Sequence, residues 1–381
     1  MMLADVSTGG FSHGLFKWFK FQKEVGIDFK VLAYGDQEKI YKLATLKHLD
    51  PELLKTYPIL GSTPKAFSLK ALRSVLNGDW DDYDICHQHG MWSFSSIISL
   101  IWAKRTKKPV IIQPHGMLFP EILGHNPLLK QVALKTYEGY NLKHASYLVS
   151  TSDSESQTIR TLLPNAKIEQ IKCLFDVPQL IDNDTLNIYL GKYKFLYKQY
   201  WLYLGRIHPK KGIDLLIEGY NMLQDKLPLV IVGPKEIPEY YDSILKQIKN
   251  YNLSNEVFFV PEVSEIEKLS LMRGAKAFVL PTRSENFGTV VAEALGQQCP
   301  VICTIGAPWS TLEQYKCGWW VDIDPKSISS ALCLSFNQDS IEQKIMGANG
   351  HKLLENELDP QKIALQTKFF YNTIKNQHDN N

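Results

Sequence analysis

The chain has 381 residues, enough for two domains of ordinary size, each with its own core. Hydrophobic residues make up 44% and charged residues 22%, the proportions of a soluble globular protein. A formal net charge of +2 without any long basic run argues against nucleic acid as a partner.

In chain order, short apolar runs alternate with segments of helical spacing, which predicts an α/β fold of parallel sheets covered by helices. In the first half strands are expected at Met2–Val6, Phe29–Tyr34, Ile85–Gln88, Val110–Gln113 and Tyr147–Ser150. Helices are expected over Gly14–Val25, Phe94–Lys104 and Pro127–Lys143. The first strand is short, as though it lacked residues that a start codon further upstream would have supplied. The stretch 176–198 is polar and rich in Asn, Asp and Tyr, and reads as a linker. Beyond it strands are expected at Trp201–Leu204, Leu229–Val232, Val257–Val260, Ala277–Leu280, Val301–Cys303 and Trp319–Val321. The helices between them are Gly212–Leu223, Pro238–Asn250, Glu265–Arg273, Gly288–Gly296 and Ser327–Phe336, and two more, Ile341–Leu354 and Pro360–Lys375, close the chain.

Several classes drop out. The most apolar stretch, Met91–Ala103, is too short and serine-rich to span a bilayer, and the N-terminus lacks a signal-peptide pattern. The six cysteines form no C-x-x-C pair and no zinc spacing, so they read as reduced thiols of a cytoplasmic protein. Asp-x-Asp occurs at Asp79–Asp81, Asp182–Asp184 and Asp322–Asp324, which is background, and no catalytic metal or other cofactor is expected.

The richest segment runs from Pro281 to Gln298, where an apolar strand enters a polar turn that opens a helix at Gly288. Glu285 lies in the turn and Glu293 two helical turns on. Main-chain N–H groups at a helix start attract anions, and Gly288 lets a ligand approach the backbone closely. A second strand ends at Gly205, followed by Arg206, Lys210, Lys211 and Gly212. Cations just before a helix start are electrostatically misplaced unless an anion joins them, so Arg206 and Lys211 suit a pyrophosphate, against the plainer reading of a solvated basic loop. Glu293 reads either as an exposed helix residue or as a carboxylate accepting from a ribose diol. In the first half, Thr8-Gly9-Gly10 follows the first strand, and His115 lies just past another. A turn and a surface histidine are the plainer alternatives. His87 and His89 are weaker candidates. The helix Phe16–Lys23 mixes aromatics with lysines, which fits either a core face or an interfacial helix on anionic lipid.

The Gly205-Arg206 and Lys210-Lys211-Gly212 signature, followed by Glu285-x7-Glu293, resembles the retaining glycosyltransferases of family 4 (group 1), which have the GT-B fold. Asp84–Gly90 and Pro114-His115-Gly116-Met117 fit the first domain of that family. Ala307-Pro308-Trp309 and Cys317-Gly318-Trp319-Trp320 look like members that build bacterial surface polysaccharides such as O-antigen, capsule or exopolysaccharide. The resemblance implies two Rossmann-like domains facing each other across a cleft. Residues 1–178 would form the acceptor-side domain, with the C-terminal helix 360–381 packing back on it, and 199–358 the nucleotide-sugar-binding domain. It also implies a UDP- or GDP-sugar donor. Arg206 and Lys211 would hold the diphosphate, and Glu285 with Asn286, Phe287, Gly288 and Thr289 the donor sugar. Glu293 would take the ribose, Gly9 and Gly10 would lie by the phosphates, and His115 would face the transferred sugar. The acceptor implied is a glycan, such as one linked to undecaprenyl diphosphate, with peripheral attachment to the cytoplasmic face of the inner membrane. A GT-B sugar-nucleotide epimerase, a glycogen-synthase-like enzyme and a non-catalytic nucleotide-sugar-binding scaffold are the competing readings.

Overall fold

The computed structural model describes residues 1–5, 9–46, 49–60, 67–124, 126–193 and 199–380. Val6 of the first expected strand, Thr8, residues 194–198 of the expected linker and Asn381 lie outside these. The chain divides into two compact units, Met1–Asp176 with Leu358–Asn381, and Val177–Glu357.

The first unit holds strands β1 (Met2–Asp5), β2 (Val31–Tyr34), β3 (Leu54–Tyr57), β4 (Cys86–His89), β5 (Val110–Gln113), β6 (Tyr147–Ser150) and β7 (Ile168–Gln170). Their order in the sheet is β3-β2-β1-β4-β5-β6-β7, with every neighbouring pair parallel. The second unit holds β8 (Trp201–Leu204), β9 (Leu229–Val232), β10 (Val257–Val260), β11 (Ala277–Leu280), β12 (Val301–Thr304) and β13 (Gly318–Val321). Their order is β10-β9-β8-β11-β12-β13, again all parallel. Both sheets are therefore doubly wound and Rossmann-like, as expected. In each, the winding reverses beside the first strand, between β1 and β4 and between β8 and β11. Helices cover both faces of such sheets, which is why β2, β5, β9 and β11 are buried along their whole length. In the second unit Trp201, Tyr203 and Tyr220 are fully enclosed, and in the first Trp80 and Trp102 are.

Departures from the sequence expectation have local causes. Strand β3 buries only its two end residues, Leu54 and Tyr57, and β7 is three half-buried residues, so neither carries the apolar run of a central strand. The helices Gln37–Leu46, Leu69–Leu76 and Asp153–Leu162 were likewise not expected. The segment Pro127–Lys143 is two helices, Pro127–Lys135 and Tyr137–His144, divided at Thr136 (φ −113°, ψ −112°). The break lets Gly139 sit so near Leu134 that an added Cβ would lie 1.8 Å from its carbonyl oxygen. Within the expected linker, Asp182 caps a helix, Asn183–Leu190, which packs on the helix Glu265–Gly274 of the same unit. The Asp-x-Asp pairs serve local ends: Asp182 and Asp324 cap helices, and Asp79 accepts from Ser74 Oγ at 2.6 Å.

The aromatic–lysine helix resolves to its core alternative. It runs Gly9–Glu24, and Phe16, Trp18, Phe19 and Phe21 are all buried. It packs on the last helix, Pro360–Asp379, so its apolar face is unavailable to lipid. Among the described residues no helix is long and apolar enough to cross a membrane. The cysteines are unpaired thiols, four of them buried.

One buried acid shapes the turn after β4. Glu138 accepts from the Trp92 N–H at 2.6 Å and from Ser96 Oγ at 2.7 Å, holding Trp92 at φ +62°. Burial raises its carboxyl to about 7, against the pull of those two hydrogen bonds. The folded value lies above the unfolded one, so its stabilising effect is complete below about pH 4.5 and lost as pH rises through about 7. Glu138→Gln is therefore expected to gain on the wild type, by on the order of 3 kcal/mol, between about pH 5 and about pH 8. Urea unfolding at both pH values checks this, and a difference that does not change with pH would refute it.

Candidate active site

Neighbouring strands β8 and β11 end in loops that meet at the point where the second sheet reverses its winding. After β8 the chain turns at Gly205, and His208 Nδ1 accepts from the Lys210 N–H at 3.0 Å, capping a short 3-10 turn, Pro209–Lys211. Gly212, at φ +68°, then opens the helix Ile213–Asn221. A Cβ at Gly212 would stand 2.0 Å from the Pro281 carbonyl oxygen, so only glycine permits this approach. After β11 the loop 281–288 runs to Gly288, at φ +77°, which opens the helix Thr289–Gly296. The Arg283 N–H donates to the Lys210 carbonyl at 2.8 Å, and Thr282 Oγ1 to the same carbonyl at 3.1 Å.

Across this junction Lys211 Nζ forms an ion pair with Glu285 Oε1, the side chains being only 15% and 16% exposed. The Arg283 guanidinium holds Asp214 in a two-point bond, at 2.9 and 2.6 Å, and also donates to the Pro209 carbonyl at 2.7 Å. Tyr240 OH donates to the same carboxylate at 2.7 Å. Burial pushes the Asp214 carboxyl up, but these bonds outweigh it and hold it below the usual carboxylate range. The loop after β12 braces the other side. The Glu285 N–H donates to the Gly306 carbonyl at 2.6 Å, and Trp309 Nε1 to the Phe287 carbonyl at 2.5 Å, with the two rings 5.2 Å apart.

The expected basic pair is divided. Lys211 faces Glu285, whereas Arg206 pairs with Glu236 of the loop after β9, at 2.7 Å and largely in solvent. Glu293 is not an outward-facing helix residue. It is mostly buried and pairs at 2.8 Å with Lys268, which also holds Glu265 at 3.2 Å. Asn286, Phe287, Gly288 and Thr289 occupy the end of the loop and the helix start. Sequence reading missed Arg283, Asp214, Glu236 and Lys268. Their ion-pair partners are 30 or more residues away in the first three cases and 25 in the last, and only Lys268 carried a local signal, three residues after Glu265.

In the first unit three imidazoles line up at the ends of β4 and β5. His87 and His89 stack at 4.2 Å, and His89 Nδ1 lies 3.2 Å from His115 Nε2. Burial pushes His115 and His87 down to about 3 and His89 well below its ordinary value, so all three are neutral near pH 7. His115 itself is at φ +54°. The next amide, that of Gly116, donates to Glu155 Oε1 at 2.5 Å, and Glu155 also accepts from the Thr151 N–H and Oγ1 at 2.8 Å each. This buried carboxylate anchors the His115 turn, and burial raises its pKa despite those bonds. A signal for it was present: Ser152-x-x-Glu155 is a capping-box spacing, and Ser152 Oγ does accept from the Glu155 N–H at 3.2 Å. Gly9 and Gly10 form the first turn of a helix rather than a loop, beyond β1. First-turn amides have no upstream carbonyl within the helix, so their donors keep the suitability for an anion that a loop would have offered.

The family model for group 1 glycosyl transferases matches residues 192–353, and that for a glycosyl transferase 4-like domain matches residues 25–173. The chain is 31% identical over 179 residues to the Staphylococcus aureus capsular polysaccharide biosynthesis glycosyltransferase CapM, covering 45% of each chain. It is 26% identical over 320 residues to the Mus musculus alpha-1,3/1,6-mannosyltransferase, covering 76% of this chain and 73% of that one. The match thus spans less than half the length of the first relative and about three quarters of the second. Among solved structures, Anabaena HepE in complex with UDP and glucose has a TM-score of 0.78 over 98% of both chains at 15% identity, a likeness of GT-B fold.

Gly212→Ala is expected to destabilise the protein by roughly 1–3 kcal/mol, because the methyl must displace the Pro281 carbonyl and the residue must keep a left-handed backbone. A denaturation midpoint equal to that of the wild type would show that the two loops are not pinned there.

Proposed function

We propose that the chain, whose two halves match the models for a glycosyl transferase 4-like domain and for group 1 glycosyl transferases, moves a sugar, with retained anomeric configuration, from a UDP- or GDP-sugar to a saccharide acceptor. The observation that carries this reading is the mostly buried Lys211–Glu285 pair at the carboxyl ends of β8 and β11. Doubly wound sheets bind ligands at that reversal point. The UDP found with HepE favours a uridine donor, and the capsular relative favours a glycan acceptor of surface-polysaccharide assembly, such as a lipid-linked oligosaccharide.

In the proposed reaction the bond from the anomeric carbon to the diphosphate oxygen breaks while the acceptor oxygen bonds to that carbon from the same face. The acceptor proton passes to the leaving phosphate. Negative charge grows on the diphosphate, and fixed positive groups stabilise it without reorganising. Lys211, oriented by Glu285, is assigned that role, assisted by Arg206 once it leaves its exposed partner Glu236. The amides at the start of Thr289–Gly296 and the first-turn amides of Gly9 and Gly10 add donors for the phosphates. Glu285 and the segment Asn286–Thr289 are assigned to hydroxyls of the donor sugar, and Glu293 to the ribose diol. His115, held neutral by burial, is assigned to the transferred sugar as a hydrogen-bonding group rather than a charge.

Lys211→Met is expected to lower kcat/KM by on the order of 100-fold or more, consistent with loss of one transition-state charge contact. Transfer assays with anomer-resolved product analysis check this. An unaltered rate would remove Lys211 from the mechanism, and an inverted product would remove the proposed stereochemistry. Glu293→Gln is expected to raise the donor KM several-fold with kcat little changed, the mark of a ground-state contact. Turnover is also expected to persist in excess chelator, and loss that a divalent cation restores would overturn the assignment of charge neutralisation to Lys211 and Arg206 alone.

A further inference from the structure

Past the ends of β4 and β5, His115 is fixed both at its backbone and at one edge of its ring. The backbone is left-handed, at φ +54°, and the bond from the Gly116 N–H to Glu155 pins it there. The ring edge is Nε2, which lies 3.2 Å from Nδ1 of His89. The planes of these two rings differ by 27° and their centres are 5.4 Å apart. That separation suits a bond in the plane of the rings, unlike the face-to-face stack of His87 on His89 at 4.2 Å.

His89 has little freedom to leave that bond. It is 1% exposed, with His87 stacked on it and the rings of Trp18 and Phe19 meeting it at steep angles, 4.9 and 5.8 Å away. Both imidazoles are neutral near pH 7, so each has one N–H and one bare nitrogen. The shared proton therefore sits either on His89 Nδ1 or on His115 Nε2. If His115 supplied it, the proton of His89 would have to sit on Nε2, which is buried and has no hydrogen-bond partner among the described residues. A buried N–H without an acceptor is rarer in folded proteins than an unmet lone pair. The shared proton thus belongs on His89 Nδ1, and His115 carries its own on Nδ1.

We infer that His89 is a positioning residue that holds His115 in the Nδ1–H form, so that the second ring nitrogen of His115 is a hydrogen-bond donor and not an acceptor. The bond made by one imidazole nitrogen sets the state of the other, and a donor fixed in advance needs no reorganisation when substrate arrives. The consequence for transfer rests on the proposed role of His115 toward the sugar, whereas the tautomer itself does not.

Long-range 15N–1H correlation spectra of the full chain labelled at histidine test this near pH 7, with the His115 signals identified from a His115→Asn variant. The wild type is expected to show His115 as Nδ1–H. In His89→Phe that signal is expected to give way to Nε2–H. In His89→Asn, whose side-chain amide can stand where Nδ1–H stood, it is expected to persist. In transfer assays His89→Phe is expected to lower kcat by about tenfold with the donor KM changed by less than about twofold, and His89→Asn to recover most of the loss. A wild-type His115 protonated at Nε2 would overturn the inference, and so would an unchanged tautomer in folded His89→Phe. The wild-type spectrum alone can refute it, so the test does not depend on the folding of any His89 variant. A change of tautomer that leaves kcat unaltered would sustain the inference and remove His115 from the proposed reaction instead.

Discussion

A glycine without a side chain, pressed against a carbonyl, underlies the candidate site. Gly212 lies so close to Pro281 that the loops following β8 and β11 become one folded surface. From that contact follow the hydrogen bonds of Arg283 and Thr282 to the Lys210 carbonyl, and the meeting of Lys211 with Glu285. Parallel topology makes this possible. Strands far apart in sequence end side by side, and the reversal of winding leaves room between the helices that follow them.

Charge pairing is the second theme. Lys211, Arg206, Arg283 and Lys268 each have a carboxylate, respectively Glu285, Glu236, Asp214 and Glu293. Cations clustered before helix starts would otherwise repel both one another and the helix dipole. The pairs are not equivalent. Arg206 and Glu236 are well exposed and bind each other weakly, since solvent screens them, so little energy holds Arg206 to that partner. Lys211 and Glu285 are mostly enclosed, where breaking a pair leaves a costly uncompensated charge. A donor that supplies phosphate to the lysine and hydroxyl donors to the glutamate would replace both partners together. The first unit works differently. Its stacked imidazoles are neutral, and buried carboxylates fix backbone turns around them: Glu155 at Gly116 and Glu138 at Trp92.

Much of the fold was legible because central strands of a parallel sheet are buried on both faces and appear as uninterrupted apolar runs. The runs at Val110–Gln113, Leu229–Val232 and Ala277–Leu280 all became buried strands. Strand β3 escaped notice because at a sheet edge half of its residues face water. Lys211, Glu285 and His115 stood out because each lies in a loop just past a strand end, and Glu293 because it lies two turns on from Glu285 in the helix that Gly288 opens. Arg283 and Glu236 did not, because what makes them part of a site is a partner 69 and 30 residues away, and the capping-box spacing of Glu155 marks a helix start but not its bond to Gly116, 39 residues distant.

By itself the sequence determined the alternation of strands and helices, the glycines that permit tight turns, and the family that those turns resemble. These depend on periodicity and on backbone freedom, which are properties of neighbouring residues. Tertiary structure alone decided which charge meets which. It turned Arg206 toward Glu236 and Lys211 toward Glu285, buried the aromatic face of the first long helix, and left the aliphatic face of Pro127–Lys135 exposed. An amphipathic pattern gives a helix an apolar side, but only the packing of distant elements determines whether that side is covered.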